Sequence, residues 1–97
     1  MVNQEQELVE FRPVNEGVQY LFRHMDDGVQ YLFKFPNGHG ASIIKTQYSY
    51  GGRAGLYELA VLDANDHLDY TTEITNDVLG WLSPEKVKET LIKISKL

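Results

Sequence analysis

Residues able to do chemistry are thinly scattered along this chain. Nucleophilic catalysis needs a hydroxyl, a base to take its proton and an acid to orient that base. Ser42, Ser49 or Thr71, taken with a histidine and an aspartate, would supply the types, yet no strained-turn motif singles one hydroxyl out. Nor is any pair of carboxylates marked for acid–base work. The run Asp63-Ala64-Asn65-Asp66-His67-Leu68-Asp69 opens like a calcium loop, with Asp63 and Asn65 in the first two ligand positions. The fifth position is then His67, the turn-making glycine is replaced by Leu68, and Ile74 stands where a bidentate glutamate should close the shell. It reads as a polar hairpin turn. His24, His39 and His67 have no paired metal spacing, and cysteine is absent, which removes disulfides, thiolate chemistry and cysteine zinc sites. The expectation is a protein that is not an enzyme and needs no metal or cofactor.

Recognition chemistry is better represented. Gln47-Tyr48-Ser49-Tyr50-Gly51-Gly52-Arg53-Ala54-Gly55 is a polar, glycine-rich loop. Tyrosines supply rigid amphipathic contact area, serine and glycine adapt, and an arginine can anchor. Tyr48, Tyr50 and Arg53 are therefore candidate partner-binding residues, against the bland alternative of a connector whose tyrosines pack back on the sheet. As a phosphate cradle the loop is poor, because it lacks the lysine and Ser/Thr of a P-loop and precedes a strand where a helix should open. The net charge of -5 is spread along the chain, and Lys86, Lys88, Lys93 and Lys96 are interleaved with Glu85 and Glu89. Nucleic acid, which wants a coherent basic stripe, is an unfavoured partner.

The elements that must hold these residues begin with an echo: Gly17-Val18-Gln19-Tyr20-Leu21-Phe22-Arg23 is nearly repeated eleven positions later, from Gly28 to Lys34. Alternating Val, Tyr and Phe predict two antiparallel strands, 17–25 and 29–35, joined at Asp27-Gly28. With that pair as a two-residue turn, Phe22 should face Phe33, Tyr20 face Phe35 and His24 face Tyr31, so that the aromatics share one face. A second hairpin follows at Pro36-Asn37-Gly38-His39-Gly40, leading into 41–44. Leu56–Leu62 is the next strand, and the turn at 64–67 returns it into a short strand at 68–72. Leu8–Phe11 could add an edge strand halted by Pro13. Thr75-Asn76 should cap a short helical turn, Asp77–Leu79, ended by Gly80. Ser83, Pro84 and Glu85 then open a helix running to about Ser95, its core face Val87, Leu91 and Ile94, with Glu89–Lys93 a surface pair.

The whole reads as one α+β domain, 1–97: an antiparallel meander of four to five strands, a short helical turn and a C-terminal helix packed on one face. One helix of about thirteen residues covers roughly one face of such a sheet. Apolar residues occur on both faces, so a partner should cover the remainder, a twofold homodimer being the commonest means, the alternative being cover by Trp81, Leu82 and the amino-terminal segment. Tyr20, Phe22, Tyr31 and Phe33 on the aromatic face join the partner-binding candidates. The polar, acidic start lacks the basic residues and apolar stretch of a secretory signal, and no apolar run reaches the length of about eighteen residues needed to span a bilayer. No membrane association is expected.

The segments Tyr31–Phe35, Asn37–Ile44, Tyr50–Gly52, Gly55–Leu62 and Ile74–Leu82 resemble a family of small uncharacterised bacteriophage and prophage proteins, over about residues 29–97. The first copy of the echo lies outside that resemblance. It implies the cytoplasm of an infected bacterium as the compartment and a host or phage protein as the partner, with an inhibitor of host defence or a host-takeover factor as fitting roles. A small-molecule or nucleotide binder using Arg53 and the neighbouring tyrosines is the alternative, with a minor virion component as a third reading.

Overall fold

The computed structural model describes residues 17–97. Five antiparallel strands follow one another in a simple meander: β1 (Gln19–Met25), β2 (Gly28–Lys34), β3 (Gly40–Thr46), β4 (Tyr57–Leu62) and β5 (Leu79–Leu82). Among the described residues, one α-helix, α1 (Pro84–Ser95), follows the strands. This is the expected α+β architecture. The strand expected at residues 8–11 lies outside the described residues.

β1 and β2 form the predicted hairpin, but its turn falls one residue earlier, at Asp26-Asp27. Phe22 therefore faces Tyr31, with ring centroids 5.0 Å apart, and Tyr20 faces Phe33 at 6.2 Å; His24 faces Val29. Moving the turn by one residue shifts each cross-strand partner by two. The aromatics thus stay on one face, and alternation alone does not distinguish the two registers. Close packing does: Gly28 pairs with Met25 and Thr46 inside the sheet, where a Cβ would collide with the Lys45 carbonyl. Its missing side chain serves a strand rather than a turn.

The second hairpin forms as expected. Gly38 has φ +90°, its N–H donates to the Phe35 carbonyl, and Phe35 N donates to His39 O at 2.8 Å. Beyond β4 the chain departs from expectation. Only a single bridge, Leu62 to Leu68, survives of the strand predicted at 68–72, and the partner of β4 is Leu79–Leu82. Side-chain oxygens intervene in the segment between. Asp69 Oδ1 accepts from Thr71 N, Thr72 Oγ1 from Ile74 N, Thr75 Oγ1 from Asp77 N and Asp77 Oδ1 from Val78 N. Such local bonds satisfy donors that a ladder would otherwise use. Thr75 caps a bend, and no helical turn follows at 77–79.

Helix α1 starts where its sequence signals place it. Ser83 Oγ accepts from Lys86 N at 3.3 Å, Pro84 occupies the first turn and Glu85 sits at the positive end of the dipole. Val87, Leu91 and Ile94 are buried. Glu89 pairs with Lys86 at 3.3 Å rather than with Lys93. The other end is held from outside: Asn37 Nδ2, from the β2–β3 turn, donates to Ile94 O (2.9 Å) and Leu97 O (3.2 Å).

The helix covers the aromatic face. Its three apolar residues join Tyr31, Phe33, Phe35, Ala41, Ile43, Tyr57, Leu59 and Val61 in one core. Cross-strand pairs Tyr31–Ile43, Ile43–Leu59 and Ala41–Val61 settle which side of β4 faces inward. Residues on the opposite side line the uncovered face. There Arg23 Nε donates to Gln30 Oε1 (2.7 Å) and Gln30 Nε2 to Ser42 Oγ (2.9 Å), a polar row across three strands.

Candidate functional site

The loop between β3 and β4 is tied down along its length. Thr46 N donates to Ser49 Oγ (2.9 Å), Ser49 Oγ donates to Thr46 O (3.0 Å), and Thr46 Oγ1 accepts from Tyr48 N and Ser49 N. A 3₁₀ turn, Gly52–Ala54, follows, flanked by Gly51 at φ +91° and Gly55 at φ +79°. Leu56 N returns to Gly51 O at 2.9 Å, closing the loop on itself. Thr46 and Ser49 thus brace the start of the loop and Gly51 O its end, while the large tyrosine side chains stay outside.

This loop abuts β5. Trp81 N donates to Tyr50 O at 3.1 Å, and Tyr50 N donates to Glu58 Oε1 of β4 at 2.9 Å. The approach is so close that two glycines are required. A Cβ on Gly80 would lie 2.5 Å from Tyr50 Cβ, and one on Gly51 would lie 2.8 Å from Trp81 Cα. The resulting corner exposes Tyr48 (80%), Tyr50 (62%) and Trp81 (64%), with Arg53 also exposed on the 3₁₀ turn. Trp81 has φ +58°. A bulky L-residue in this left-handed region costs about 1–2 kcal/mol, and exposure of the indole means that burial in the core does not offset it.

The other partner-binding candidates separate. Tyr31 (0% exposed) and Phe33 (3%) are core residues beneath the helix and offer nothing to a partner, which corrects the expectation that the aromatic face is a contact surface. Phe22 is half-buried against the same core, and Tyr20 lies at the sheet edge with its ring toward Phe33. Among the described residues, nothing covers the reverse face, where the exposed Leu21 and Leu68, with Leu32 and the buried Leu62, line an open groove of about 530 Å³ rimmed by Gln30 and Lys34. Lys34 faces Asp66 across it at 3.8 Å.

The hydroxyls are engaged in structure. Thr71 Oγ1 donates to Asp69 Oδ1 at 2.6 Å, while His39 Nε2 lies 3.9 Å from Asp69 Oδ2. The carboxylate stands between hydroxyl and imidazole, so the histidine has no route to the threonine proton, and this is not the order of a nucleophilic triad. Hydrogen bonds from the Thr71 hydroxyl and backbone hold the Asp69 carboxyl below its ordinary pKa, with His39 adding a smaller push in the same direction. Ser42 accepts from Gln30, and Ser49 is bound to Thr46. In the 63–69 turn, Asp63 Oδ1 accepts from Asn65 N and His67 N, and among the described residues no group of His, Asp and Glu is placed to hold a metal.

Trp81 is the site residue that sequence reasoning missed. Its signal was present in Leu79-Gly80-Trp81-Leu82, a glycine beside an aromatic, but the glycine reads equally well as a helix stop. Compared with known protein families, curated proteins and solved structures, the chain matches none. Fold and geometry together define a five-stranded α+β meander with an aromatic corner at one end and an open groove on its reverse face. Among the described residues, no helix is long and apolar enough to cross a membrane.

Proposed function

We propose that this chain is a non-enzymatic protein-binding module of a bacteriophage or prophage, acting in the cytoplasm of the infected bacterium. Its contact surface is the 47–55 loop together with Trp81, and its partner is a host or phage protein. Inhibition of a host defence or takeover of a host process is the role such a module fills. One observation carries the reading: two tyrosines stand exposed on a loop held by several backbone hydrogen bonds, with the exposed Trp81 of β5 bonded to it through Tyr50 O. Rigid aromatic anchors bind at low entropic cost, and Tyr, Trp and Arg dominate the energetics of protein interfaces. Affinity capture from bacterial lysate tests this with wild type and a Tyr48→Ala/Tyr50→Ala variant. The partner should be retained by the first and lost by the second.

A homodimer belongs to the same reading, with the reverse face and the β1 edge as the surfaces that the described residues leave to a second copy. Light scattering coupled to size exclusion should give twice the 11.1 kDa chain mass; the chain mass alone removes the dimer. The small-molecule reading is favoured by the reverse-face groove, whose size suits a ligand. A thermal-shift screen at millimolar ligand separates it from protein binding. A ligand selective for the folded state, at a hundred times its dissociation constant, adds about 2.7 kcal/mol of stability.

A further inference from the structure

Trp81 and Tyr50 present exposed rings at one corner, and neither stacks on another aromatic of the described chain. A carboxylate is tied to the Tyr50 backbone. Glu58 Oε1 is held by Tyr50 N, and Glu58 Oε2 accepts no hydrogen bond from the described residues. Among the described residues, no lysine or arginine pairs with Glu58. The Lys45 ammonium is engaged with Tyr57, 4.9 Å from its ring centroid, and among the described residues Arg53 forms no ion pair. Two electron-rich ring faces and an unneutralised carboxylate make a site for a cation. The net charge of -5 favours a basic partner and disfavours a nucleic acid that might otherwise stack on such rings.

We propose that the Tyr50–Glu58–Trp81 corner receives an arginine or lysine side chain from the protein partner. This rests on the protein-binding reading and names the chemistry of that partner's contact. The strained backbone at Trp81 then has a purpose, since it leaves a ring exposed on the strand paired with that of Glu58 instead of burying it.

Trp81 is the sole tryptophan, so its fluorescence reports on the corner directly. The full chain is titrated to millimolar concentration with a short Gly/Ser peptide carrying two arginines, with the same peptide carrying citrulline, and with oligothymidylate. The arginine peptide should give a saturable change in Trp81 emission. Glu58→Gln, which keeps an acceptor for Tyr50 N, should weaken that binding about two- to fivefold, and the citrulline peptide should bind weaker than the arginine peptide by a similar factor. Glu85→Gln, an acid on the exposed face of α1, should leave binding unchanged. Thermal melting confirms that each variant is folded. Equal binding of the citrulline peptide overturns the inference while leaving a peptide-binding corner. It is likewise overturned by a response to oligothymidylate alone, by no saturable response to any probe, or by equal effects of Glu85→Gln and Glu58→Gln. Capture of a partner by wild type and its loss with Tyr48→Ala/Tyr50→Ala decides the parent reading separately.

Discussion

At Trp81 the chain holds a bulky side chain in a backbone conformation that glycine adopts freely, and then leaves most of the ring in solvent. Residues kept in such conformations concentrate at functional sites, where the strain is offset elsewhere in the structure. Trp81→Gly should therefore leave stability unchanged, or raise it by about 1 kcal/mol, as relief of strain outweighs the extra freedom of the unfolded chain. Urea unfolding measures this, and a loss of about 2 kcal/mol or more would show that the indole is needed for packing. Asp69 offers a second test. Its carboxyl is held below the ordinary value chiefly by the Thr71 hydroxyl and backbone N–H. A folded-state pKa below the unfolded one contributes stability that is present above the unfolded value and is lost as pH falls through the folded one. Thr71→Ala should move the Asp69 titration upward, toward that of an ordinary aspartate, and make the acid limb of stability shallower. Carbon-detected NMR of the side-chain carboxyl gives the midpoint, and an unmoved midpoint would mean that the hydroxyl does not hold the charge.

Among the elements, helix α1 was legible from Ser83-Pro84-Glu85 and from the spacing of Val87, Leu91 and Ile94, because caps and periodicity are local signals. Its far end was not. Asn37 lies 57 residues from Ile94, and nothing near residue 95 announces a side chain arriving from another turn. Asn37→Ala should cost about 1–2 kcal/mol by leaving carbonyls at the helix end without their donor. Asn37→Asp should cost more, since it sets a negative charge at the negative end of the helix dipole. Denaturant midpoints rank the two, and the opposite order would show that the clasp works by packing alone. The hairpin was legible as a pair of strands and as a face. Its register was not, because a shift of two leaves every aromatic on the same side. The fifth strand was hidden for another reason: Leu79-Gly80-Trp81-Leu82 is short, and the Asp and Thr residues before it resemble helix caps until their oxygens are seen to serve bends.

Across the whole molecule, the sequence leaves open which of two apolar faces the helix covers, and the aromatics Tyr31 and Phe33 nominated for a partner lie on the covered one. Aromatic residues attract the helix because they have the most surface to bury, so Tyr31 and Phe33 become core. The open groove at Leu21, Leu32, Leu62 and Leu68 lies behind them. The tyrosine loop was recognised from composition, whereas the neighbour that completes it, Trp81, depends on a long-range approach of β5 that only the fold supplies. The proposed function rests on that corner, and capture from lysate, with thermal midpoints of both proteins in hand, tests it most directly. Wild type should retain a partner that Tyr48→Ala/Tyr50→Ala releases while melting at an unchanged temperature. Identical partners for both folded proteins would contradict the account.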